Sequence, residues 1–118
     1  MKTDPLRSPL FTPTATGFAL GLMIEVAALF LAVISAGAGH GSYAAARALF
    51  PVPMLTTLLE GDSIGPLSIT LALAQFPTLG ALAGYSLARA RLTPLVVVGI
   101  VHLVAMLAAF SGTLPNFS

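Results

Sequence analysis

Three polar side chains stand inside runs that are otherwise apolar: Glu25 in MIEVAALF, Gln75 in LAQFPTLGALAG and His102 in GIVHLVAML. A carboxylate at the centre of a membrane-spanning helix costs about 3 kcal/mol on insertion scales, and more if it stays ionised without a partner. Glu25 must therefore be protonated, paired or in contact with water. Its helix supplies a direction. Gly17, Gly21, Glu25, Ala28, Ala32, Ser35 and Gly39 recur at spacings of three and four, so they share one face. Small residues at that period allow helices to approach closely, which aims Glu25 at protein rather than lipid.

His102 is the obvious partner. It lies about 12 Å in from the start of its span, and Glu25 about 10 Å in from the same side, at 1.5 Å per residue. A Glu25–His102 hydrogen bond or ion pair is expected. It could fix helix register, or it could be a proton site. Gly99 and Ala105 flank His102 and leave room for a flat macrocycle, and imidazole is a usual axial ligand of haem or a chlorin. A bis-histidine haem would need a second histidine at matching depth, and His40 sits instead in a glycine loop. No cofactor and no metal are expected.

Gln75 and Pro77 form a second polar locus. Proline lacks an N–H and leaves the carbonyl four residues earlier, that of Leu73, without a donor, so a kink is expected. Gln75 can satisfy freed backbone or bond to a neighbouring helix. Gly80 and Gly84, extended by Ala88, form a small-xxx-small motif matching the Gly17–Gly21 face. A third group lies outside the apolar runs. His40, Tyr43 and Arg47 fall on one face of a short helix, and with Glu60 and Asp62 they make an outer polar cluster. An anionic headgroup or partner loop could dock on it, or Arg47 could pair with Glu60 or Asp62.

The elements that must carry these residues follow from composition. Of 118 residues 57% are hydrophobic and 8% charged, where soluble domains are about a quarter charged. So few charges cannot cover a soluble fold, and the bilayer is the expected surroundings. Net charge is +1, without the clustered Lys and Arg that nucleic-acid binding needs. Cysteine is absent, which excludes disulfides, Cys-ligated zinc, iron–sulfur clusters and thiol chemistry. Trp is absent too, so interfacial anchoring falls to Tyr, Phe and Arg. No phosphate loop, HExxH or GxSxG motif occurs, and no repeat.

The pattern predicts an all-α, single-domain integral membrane bundle of three transmembrane helices plus a short outer helix pair. The spans are expected over about 17–38, 67–87 and 94–110. Residues 1–16, with Pro5, Pro9 and Pro13, read as an extended surface segment. The apolar stretch from Phe18 to Ala38 is longer than a signal-peptide core and reads as an uncleaved first span. Segment 43–59 contains Arg47, Pro51 and Pro53 and is therefore interfacial or re-entrant rather than a fourth span. Three spans place Lys2, Arg7, Arg89 and Arg91 on one side and Arg47 on the other. The N-terminus is thus expected in the cytoplasm and the C-terminus outside, in a plasma or inner membrane.

Without a catalytic set, the expected role is a structural or accessory subunit of a larger membrane assembly, with other transmembrane chains or copies of itself as partners. The alternative is an oligomeric proton-coupled transporter or channel using Glu25 and His102.

Overall fold

The computed structural model describes residues 9–37 and 40–115. Lys2, Arg7 and Gly39, on which the sequence reading drew, lie outside them. The described residues form five α-helices and no strand: α1 (Phe11–Ala36), α2 (Ala44–Leu49), α3 (Pro51–Thr56), α4 (Pro66–Ala88) and α5 (Thr93–Phe110), with a 3₁₀ turn at Thr57–Glu60 after α3. The protein is an all-α bundle. Three of the helices, α1, α4 and α5, are long and apolar enough to cross a membrane.

Helix α1 starts at Phe11, earlier than the expected Gly17. Pro13 does not prevent this, because it falls in the first turn, where N–H groups have no intrahelical acceptor anyway. The Thr14 hydroxyl donates to the Leu10 carbonyl (2.6 Å) and closes that turn. At the other end Gly37 adopts a left-handed conformation (φ 52°) and its N–H returns to Ile34, a common helix stop. Helices α4 and α5 both open on proline in the first turn. Pro77 stays inside an unbroken α4.

Helices α1 and α4 cross antiparallel, with backbone against backbone. A Cβ added at Gly17 would collide with the Gly80 carbonyl, and one at Gly80 with the Gly17 carbonyl. At Gly21 it would meet the Phe76 carbonyl, and at Gly84 the Pro13 carbonyl. Only glycine tolerates that approach at all four positions. Close backbone contact replaces the hydrophobic drive that lipid-exposed helices lack.

Helices α2 and α3 form a hairpin that dips between the long helices. Phe50 breaks it, with φ −124° and ψ 51°. The residue before a proline is pushed out of the α region, and Pro51 then opens α3. Phe50 is buried, and its ring stands edge-on to Phe76 of α4 at 5.4 Å. Tyr43, Ala46, Met54, Ala109 and Leu114 close a small core at the open end of the hairpin. Helix α2 packs on α1, while α3 packs on α4 and α5; α1 and α5 do not touch. Helix α5 is held mainly through α3 and meets α4 only lightly.

Candidate functional site

The break at Phe50 creates a problem in hydrogen bonding. A helix end leaves carbonyls without donors, and Pro53, four residues beyond Leu49, has no N–H to offer it. Across the break, Phe50 N–H reaches Ala46 and Met54 N–H reaches Phe50, which leaves Ala48 and Leu49 to be satisfied from elsewhere. Gln75 of α4 donates from Nε2 to the Leu49 carbonyl at 2.7 Å. His102 of α5 sits with Nε2 2.9 Å from the Ala48 carbonyl. A carbonyl oxygen only accepts, so Nε2 carries the hydrogen. Two adjacent carbonyls are thus held by side chains from two helices.

Gln75 and His102 both lie near the middle of their helices. The tip of the α2–α3 hairpin therefore reaches mid-span if α4 and α5 cross a bilayer. Of the two placements open to segment 43–59, this geometry fits the re-entrant one. Non-helical backbone at that depth persists only when buried in protein or facing water. At the end of α3 and the start of the 3₁₀ turn, the Thr56 and Thr57 hydroxyls donate to the Pro53 (2.7 Å) and Met54 (2.6 Å) carbonyls.

Glu25 occupies the opposite side of α4. It is 4% exposed, and its Oε2 accepts from the Phe76 N–H at 3.2 Å. Its Oε1 is buried without a hydrogen-bond partner. Gly21, one turn earlier in α1, permits the close approach to Phe76 and Pro77 that brings the carboxyl there. The expected Glu25–His102 pair is not formed. The two depths were comparable, but α1 and α5 lie on different sides of α4 and do not meet. Each residue bonds instead to backbone: Glu25 to an amide of α4, His102 to a carbonyl of α2.

Nor does the outer polar cluster converge. Glu60 caps α4: Oε1 accepts from Leu67 N–H (2.7 Å), and Oε2 from Gly65 N–H (3.2 Å), Ser68 N–H (3.1 Å) and the Ser68 hydroxyl. The Ser68 hydroxyl, followed by these amides, holds the Glu60 carboxyl below the usual carboxylate range against the opposing effect of desolvation. Arg47 makes no bond to Glu60 or Asp62, and its Nε is buried without a partner. Asp62 is exposed in a left-handed turn (φ 60°), its N–H bonded to Thr57. Tyr43 belongs to the core and His40 is exposed. Glu60 cannot serve Arg47 because an uncapped helix start is the nearer claim on a carboxylate.

A cavity of about 290 Å³ opens beside the hairpin tip, bounded by Gln75, Thr78, Val98, Val101 and His102 together with Val52 and Pro53. His102 Nε2 is already bonded to the Ala48 carbonyl and so is not free for axial ligation of a haem or chlorin in this arrangement. Sequence reasoning missed the backbone partners Ala48, Leu49 and Phe76, and Ser68 beside Glu60. The Pro51–Pro53 spacing held the signal for Leu49, because it removes that carbonyl's own donor. No family model, no curated protein and no solved structure matches this chain.

Proposed function

We propose that the chain is a structural or accessory subunit of a larger membrane assembly and has no chemistry of its own. One observation carries this reading: the three polar side chains that are costly inside a bilayer, Glu25, Gln75 and His102, all bond to the chain's own backbone. None faces another across a path. What is left to the outside is a lateral apolar surface, with Met23, Val26 and Val33 of α1 each about 70% exposed. That face would meet other transmembrane chains or further copies. The distribution of Lys and Arg supports a cytoplasmic N-terminus and an outer C-terminus.

A photo-reactive amino acid placed at Val26 or Val33 in native membranes tests the proposal. Discrete protein adducts from those positions, absent when the probe sits at buried Ala28, are the expected result. Lipid adducts alone, with a monomer in mild detergent, would overturn it. The competing reading, an oligomeric proton-coupled transporter, requires proton flux in proteoliposomes that Glu25→Gln abolishes. Its relay would need a connection between Glu25 and His102 through α4, and the apolar Phe50–Phe76 ring pair stands between α4 and the hairpin at that level. Because the chain lacks cysteine, single cysteines at either terminus report orientation without background.

A further inference from the structure

The α4–α5 turn sends its two arginines apart. Ala90 takes a left-handed conformation (φ 50°), and the Arg91 N–H closes the turn onto Ser86 at 2.9 Å. Arg89 lies over the Tyr85 ring at 5.4 Å, a cation–π arrangement. Arg91 instead lines a cleft between α4 and α5, with Thr93, Pro94 and Val97, and its guanidinium has no hydrogen bond or ion pair among the described residues. Because α5 is held by α3 rather than against α4, this cleft does not close. Val98 lines both the cleft and the cavity at Gln75 and His102. The cleft and the cavity therefore adjoin at Val98, and together they make a groove along α5 from the basic turn inward.

We infer that this groove is a binding site for one anionic phospholipid, its phosphate on Arg91 and one acyl chain lying along Val97 and Val98 toward His102. Charge selects the headgroup. Among the described residues the acids are Glu25, Glu60 and Asp62; the latter two sit by the far end of α4, and Glu25, on α1, is bonded to the Phe76 N–H of α4. Among the described residues no acid bonds to Arg91, and basic pockets between helices favour anionic headgroups. Length selects the chain. From Pro94 to His102 the groove descends about 12 Å at 1.5 Å per residue, against about 15 Å for half a hydrocarbon core. The site is distinct from the α1 face on which partner chains would pack, so either proposal can fail alone.

The test reconstitutes the full chain in phosphatidylcholine bilayers carrying trace spin-labelled phosphatidylglycerol or spin-labelled phosphatidylcholine, and measures the motionally restricted fraction of each. Phosphatidylglycerol should associate about fivefold more strongly, the contribution of one basic residue near the surface. Arg91→Gln should remove that preference, Arg91→Lys should keep it, and Arg89→Gln should leave it unchanged. Val98→Phe, which fills the groove without touching the charge, should also remove it. Equal association of the two lipids, an unchanged preference in Arg91→Gln, or displacement of the labelled lipid by millimolar inorganic phosphate alone would overturn the proposal.

Discussion

His102 donates from Nε2 to the carbonyl oxygen of Ala48 across 2.9 Å, joining the middle of α5 to the last turn of α2. The neighbouring carbonyl, Leu49, is held from the other side by Gln75. The hairpin is thus fixed by one donor from each flanking helix.

Removing either donor strands a carbonyl. His102→Leu and Gln75→Leu should each destabilise the fold by about 1–2 kcal/mol. His102→Gln, which keeps a donor, should lose less. Unfolding in mixed micelles measures these differences. The double variant should fall short of the sum of the two singles, because once the tip detaches both carbonyls are free to find water.

The glycines separate into two kinds. Gly80→Ala puts a methyl group into the Gly17 carbonyl and should cost about 1–3 kcal/mol or more. Gly99→Ala in α5 meets nothing within 4 Å and should stabilise by about 0.5–1 kcal/mol through backbone entropy. The same unfolding assay reads both. Equal effects at the two sites would contradict the antiparallel crossing.

Glu25 acts through its acceptor oxygen. Glu25→Gln retains a carbonyl oxygen for the Phe76 N–H and should stay within about 0.5 kcal/mol of the native protein, whereas Glu25→Leu leaves that amide's contact unmade and should cost about 1–2 kcal/mol. Hydrogen exchange at Phe76 should quicken in Glu25→Leu only.

Glu60 gives the fold its response to acid. Its carboxyl is depressed in the folded state by Ser68 and the amides that start α4. The stabilisation is complete above the ordinary carboxylate value and is lost as pH falls through the lower, folded value. Thermal stability should therefore drop on acidification below the usual carboxylate range. Glu60→Gln should start lower at neutral pH and show a flatter profile there. A Glu60→Gln profile identical to that of the native protein would overturn the assignment of the acid response to Glu60.

The three long helices were legible because length and apolar content decide membrane spans, and both can be read from sequence. The start of α1 was not, because Pro13 reads as a breaker until its place in the first turn is known. The small-residue spacing at Gly17, Gly21, Gly80 and Gly84 was visible; that the two motifs face each other within one chain was not. Glu25 shows the sharpest limit. Depth along a helix can be calculated from residue numbers, but which helix lies alongside depends on the hairpin. Its partner, the Phe76 N–H, has no residue type at all. Backbone groups freed by a break are legible only through the prolines that free them, and Pro53 did so for Leu49.

The twin carbonyls at the hairpin tip also bear on how the chain is made. Residues 44–56 leave the ribosome before Gln75 and His102 exist. At that moment Ala48 and Leu49 have no donors, and bare carbonyls do not partition into lipid. If the hairpin tip lies at mid-span, the first helix can enter the bilayer alone, but the hairpin must wait at the aqueous boundary until α5 has followed. Order of synthesis and order of insertion therefore differ, and a truncation ending before His102 should leave residues 44–56 open to protease.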